Sequence, residues 1–93
     1  MSSEKMMVSG DVTMETVPAL FAQGLQHLSS KDLVVDLSQT HAVDSAAVSM
    51  LLAWQRAAQS GQRALQIENI PADLLSLAKL YGVEEMLPRS NLQ

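Results

Sequence analysis

The sequence predicts an α/β fold, a small and mostly parallel sheet of about four strands packed by three or four helices. Three observations carry that expectation. Short apolar or alternating runs around Val8, Leu33–Leu37 and Ala64–Glu68 have strand character. Each is followed by a segment whose apolar residues recur at helical spacing. Turn and cap residues separate the two kinds of segment, and such alternation implies parallel strands joined by right-handed crossovers.

Met6-Met7-Val8-Ser9 is a short strand stopped by Gly10-Asp11. Thr13 or Thr16 caps the next segment, where Pro18 fits only near a helix start because its missing N–H costs little there. Val17, Leu20, Phe21, Gly24, Leu25 and Leu28 fall on one helical stripe, with Gln23, Gln26 and His27 opposite. Ser29 to Asp32 is a turn. Leu33 to Leu37 is a buried strand that carries Asp36 inside an apolar run, and a short polar turn follows it.

Asp44-Ser45 opens a long amphipathic helix from Ser45 to Gln59. The first N–H groups of a helix lack intrahelical partners, and an Asp or Ser there can cap them. Ser60-Gly61 is the stop signal. Ala64 to Glu68 alternates apolar and polar residues as a strand does. Pro71 starts a third helix, Ala72 to Tyr81, with Gly82 at its C-terminal cap and Leu74, Leu77, Ala78 and Tyr81 as its buried stripe. Val83 to Leu87 forms a last short strand or turn before Pro88, and Arg89 to Gln93 is a frayed end. Without a repeat, linker or low-complexity tract, residues 1–93 make one domain with a modest core.

Composition removes several function classes. The chain has no cysteine, which excludes disulfides, thiol catalysis and zinc-thiolate sites. Its six basic residues are scattered against ten acidic ones, so it lacks the basic stripe expected for nucleic acid or anionic lipid. No window approaches the ~20 apolar residues that span a bilayer. The N-terminal residues have no signal-peptide core either, and a cytoplasmic location is expected.

His27 and His41 lie on different elements without metal-pair spacing, so no metal or cofactor is expected. Asp11, Glu15, Asp36, Glu84 and Glu85 show no pairing suited to acid–base chemistry. The four glycines are isolated and form no phosphate-cradling loop. Nothing in the pattern supports an enzyme.

At 100° per residue, Ala47, Met50, Leu51, Trp54 and Ala58 form the core stripe of the second helix. Ser45, Ser49, Arg56 and Gln59 form the opposite face, and Val48 and Leu52 fall with them. Two readings of that pair stand. They are isolated surface hydrophobes, or they belong to a partner-binding patch of Asp44, Ser45, Val48, Ser49 and Leu52 flanked by Thr40 and His41. Ser45 is also where a phosphate would be favoured, at a helix start.

The segment Val35-Asp36-Leu37-Ser38 through Val43-Asp44-Ser45, followed by small residues and an apolar helix, resembles the signature of STAS domains, the fold of anti-sigma-factor antagonists such as SpoIIAA. Val8-Ser9-Gly10 leading into the first helix fits the same pattern. Leu77-Ala78-Lys79-Leu80-Tyr81-Gly82, with Leu87-Pro88 after it, is similar to the MlaB branch of that family.

The MlaB resemblance implies a non-enzymatic accessory subunit of a phospholipid-transport ABC transporter of the Mla type, which serves outer-membrane lipid asymmetry. Such a subunit sits on the cytoplasmic side of the inner membrane, bound to the MlaF-like ATPase and supporting complex assembly or activity. In that family the hydroxyl residue after the motif aspartate lies at the ATPase contact, here Ser45. The alternative is a phosphorylation-controlled anti-sigma-factor antagonist acting through Asp44-Ser45. In the D-S-S-G motif of those proteins, the phospho-acceptor aligns with Ala46 and the glycine with Ala47. Both departures count against a phospho-switch.

Overall fold

The structure, a computed structural model, describes residues 3–88. The expected frayed end, Arg89 to Gln93, lies outside the described residues. In chain order the elements are β1 (Ser3–Val12), α1 (Val17–Leu28), β2 (Asp32–Val43), α2 (Ser45–Ser60), β3 (Leu65–Glu68), α3 (Ala72–Leu80) and a single 3₁₀ turn (Glu84–Met86). The fold is α/β as expected, with three strands among the described residues rather than about four. Val83–Leu87, read as a strand or turn, contains the 3₁₀ turn instead.

The strand order is β1-β2-β3 and both pairings are parallel. Met6, Val35 and Ile67 lie side by side in this register, as do Lys5, Val34 and Gln66, and Met7, Asp36 and Glu68. Because side chains alternate across a strand, one face buries Met6, Val8, Leu33, Val35, Leu65 and Ile67. The other face carries Lys5, Met7, Asp36 and Glu68. Helix α2 packs between α1 and α3 and completes the core with Ala47, Met50, Leu51, Trp54 and Ala58.

The polar segment expected as a turn after Leu37 continues β2 to Val43. Between Met7 and Ser9, and again between Gly10 and Val12, β2 contributes one residue more than β1. These bulges bend the strand. Because β3 stops at Glu68 opposite Asp36, the rest of β2 pairs with β1 alone. Ser38, Gln39, His41 and Ala42 are accordingly exposed, which is why the segment reads as a loop.

Two helix ends use the same device. After α3, the Gly82 N–H donates to Lys79 O and the Val83 N–H to Ala78 O, with Gly82 at φ +72°. This is a Schellman closure, with glycine in the left-handed position as expected. It also ends the helix at Leu80 and turns Tyr81 outward, where it is 50% exposed rather than part of the buried stripe. After α2, the Gln62 N–H donates to Gln59 O and the Arg63 N–H to Ala58 O. There the left-handed residue is Gln62, at φ +58°, and not the neighbouring Gly61.

Candidate functional site

The start of α2 meets the β1–α1 loop at the C-terminal end of β2. Asp44 has extended backbone angles (φ −136°, ψ −170°) and is the N-cap. Its Oδ1 accepts a hydrogen bond from the Ala46 N–H at 2.9 Å. Its Oδ2 accepts from the Met14 N–H at 3.1 Å, thirty residues away in sequence. Asp44 therefore does the capping, and Ser45 stands one residue inside the helix. A second aspartate ties the ends of β1 and β2 together, since Asp11 Oδ1 accepts from the Ala42 N–H at 3.2 Å.

Part of the expected patch is open to solvent. Ser45 and Ser49 are exposed, and Leu52 is half-buried against the core. His41 is exposed, while Thr40 is half-buried and its hydroxyl donates to Leu37 O at 2.8 Å. Val48 is the correction. It is 3% exposed and belongs to the hydrophobic core. It shares the flank of α2 that carries Gln55, and α3 packs against α2. A helical wheel assigns the angle of Val48 but knows nothing of the elements packed around α2.

The residues of this surface hold no catalytic constellation. Among the described residues no group of three His, Cys, Asp or Glu side chains is placed to hold a metal ion. Among the described residues, the titratable group that is displaced is Asp36, on the far face of the sheet. Its Oδ1 accepts from the Ser38 N–H at 2.8 Å and from Asn69 Nδ2 at 3.1 Å. Lys5 Nζ lies 3.9 Å from its Oδ2 and 3.5 Å from Glu68 Oε1. The Ser38 backbone bond, then Asn69 and the Ser38 side chain, with a smaller contribution from Lys5, hold this carboxyl below its ordinary range against the opposing effect of burial. Asp36 thus joins β2 to the loop after β3, which explains a charged residue in an apolar strand.

Sequence reasoning missed a second feature. Leu52, Gln55, Arg56 and Gln59 of α2 face Glu85 and Met86 of the 3₁₀ turn across a groove of about 380 Å³. Met86 is 61% exposed. No local signal joins these residues, because the two walls lie far apart in the chain.

The sequence matches a family model described as "Mlab, STAS domain" over residues 2–88. Curated protein sequences include no significant match. Among solved structures, the chain is similar to the anti-sigma factor antagonist SpoIIAA in its unphosphorylated form, with a TM-score of 0.74 and 11% identity. That alignment covers 97% of this chain and 81% of the other. At this identity the likeness concerns the fold.

Proposed function

The chain belongs to the MlaB-type STAS domain family, and from that premise we propose that it is a non-enzymatic accessory subunit of a phospholipid-transport ABC transporter. It binds the transporter's ATPase on the cytoplasmic side of the inner membrane and supports assembly or activity of the complex. STAS domains are in general modules for protein–protein interaction rather than enzymes. The observation that carries the reading is the exposed stripe of Ser45 and Ser49 leading to Leu52 on a helix whose start is fixed by the two-sided Asp44 bonds. Attachment through a partner also accords with the helices: among the described residues, none is long and apolar enough to cross a membrane.

The antagonist reading shares the fold and differs at the motif. Ala46 is half-buried, Ala47 is fully buried, and neither carries a hydroxyl. Ser45 is exposed and is the only hydroxyl available at that helix start.

One experiment separates the two. Purified Mla-type ATPase subunit is titrated with the wild-type chain and with Ser45→Arg, and the native chain is weighed by intact-mass spectrometry. Wild-type binding, its loss in Ser45→Arg, and a single unmodified mass are expected. Wild-type binding by Ser45→Arg moves the interface elsewhere. A stoichiometric phosphate on Ser45 replaces the transporter reading with the antagonist one.

A further inference from the structure

We propose that the open edge of β1 pairs with β1 of a second copy, antiparallel about a two-fold axis at Met7, joining the two sheets into one. The two edges of the sheet differ. At the β3 edge, four residues long, the chain returns after the 3₁₀ turn and the Ile67 N–H donates to Pro88 O at 2.7 Å. β1 runs for ten residues, and among the described residues it pairs with β2 alone. An edge strand presents a row of N–H and C=O groups that another strand satisfies.

β1 has few of the features that blunt such an edge. It is long for a strand and holds no proline. Both register irregularities put the extra residue in β2, so the alternation of β1 is unbroken. Ser3, Lys5, Met7, Ser9 and Asp11 are exposed, while Met6, Val8 and Val12 are buried. The cation of the strand, Lys5, has its Nζ 3.5 Å from Glu68 Oε1 and 3.9 Å from Asp36 Oδ2. Those contacts draw the ammonium inward across the sheet rather than out over the edge. Met7, 53% exposed, stands at the middle of the edge.

The residues of the strand select a second copy and its register. Directly opposite residues of an antiparallel pair share a face and interact. With the axis at Met7, this residue meets Met7 of the second copy, Met6 meets Val8, Lys5 meets Ser9 and Glu4 meets Gly10. Lys5 also stands diagonal to Asp11 of the second copy, an attraction that the symmetry makes twice. Moving the axis to Met6 sets Glu4 against Val8, and moving it to Val8 sets Glu4 against Val12. Each of these places a charge against a buried apolar residue. An axis at Lys5, or a parallel pairing in register, opposes two like charges. The axis at Met7 avoids all of these.

The test measures self-association of the full chain by sedimentation velocity. A strand pair is a small interface, so a dimer with a Kd of about 10–100 μM is expected. Met7→Lys puts two ammonium groups on the axis and should weaken the dimer about tenfold or more. Unchanged melting by circular dichroism establishes that this variant is folded. Because the chain has no cysteine, a single introduced thiol reads the register directly. At the axis the two Cα atoms lie about 4.5–5.5 Å apart, within disulfide reach. Met7→Cys should therefore give a disulfide-linked dimer under mild oxidation. In Ser9→Cys the two sites lie about 14 Å apart, and cross-linking should be slower by about tenfold or more.

A wild-type chain that is monomeric at about 1 mM overturns the proposal. A dimer that Met7→Lys leaves intact places the contact on another surface and overturns it as well. Cross-linking of Ser9→Cys as fast as Met7→Cys does the same for the register.

Discussion

The indole of Trp54 occupies the space that a side chain at position 24 would need. A Cβ built on Gly24 overlaps Trp54 Cε2 and Nε1 and stands 2.6 Å from Cζ2. Trp54 is fully buried, and its Nε1–H donates to Phe21 O at 3.1 Å. The absent side chain of α1 thus lets the largest side chain of α2 reach the α1 backbone, and a buried indole N–H finds its acceptor there.

Gly24→Ala should therefore destabilise the domain by about 1–3 kcal/mol. The helix propensity of alanine, about 1 kcal/mol better than glycine, acts in the opposite direction. Trp54→Leu opens the space, so the two substitutions together should cost less than the sum of their separate effects. Urea midpoints for the four-member cycle measure this coupling. A Gly24→Ala variant more stable than wild type would show that the indole is not held there.

Asp44→Ala removes a helix cap and the tie to the Met14 N–H, with an expected loss of about 1–2 kcal/mol. Asp44→Ser keeps an oxygen for the Ala46 N–H and loses the long-range tie, so its loss should be smaller. Faster hydrogen exchange at the Met14 amide in both variants checks the tie separately from the cap.

Asp36 makes stability fall in acid. Its carboxyl is held below 3.8 in the folded chain, first by the Ser38 N–H and then by Asn69. The unfolded chain therefore takes up this proton at higher pH than the folded chain does. The stabilisation is present above the unfolded value and is lost as pH falls through the folded one. Denaturation midpoints of wild type should drop more steeply below about pH 4 than those of Asp36→Asn. Parallel acid limbs would assign the acid sensitivity to other groups.

Val48 and Leu52 differ by one helical turn and should differ in consequence. Val48→Asp places a charge in the core without a partner, a large penalty that should leave little folded protein. Leu52→Asp, at a half-buried site beside the groove, should leave the chain folded and impair ATPase binding. Circular dichroism and co-purification distinguish the two. A well-folded Val48→Asp would return that residue to the surface.

Gln62 closes α2 in a left-handed conformation that glycine adopts freely. Gln62→Gly should raise stability by up to about 1 kcal/mol, read as a higher urea midpoint. A lower midpoint would mean that the added freedom of the unfolded chain outweighs the relieved strain.

By itself the sequence determined the order of elements, since strand and helix periods differ and Pro18, Pro71 and Gly82 sit at the helix ends they suit. It determined the core stripes of α1 and α2, because the spacing of Leu28, Leu51 and Trp54 is a property of the helix alone. Asp44-Ser45 was legible as a helix start, since capping involves residues two apart. Contacts between distant segments belonged to the tertiary structure. Packing around α2 buries Val48, and the Schellman turn ends α3 at Leu80 and leaves Tyr81 exposed. Pairing with β1 made the polar segment after Leu37 the second half of β2, and the early end of β3 left it exposed. The choice of Asp44 over Ser45 as cap came with the Met14 amide, and the Leu52–Met86 groove exists because α3 and the 3₁₀ turn return to α2. Periodicity records which face of a helix is apolar; whether that face meets core, solvent or a partner depends on elements elsewhere in the chain.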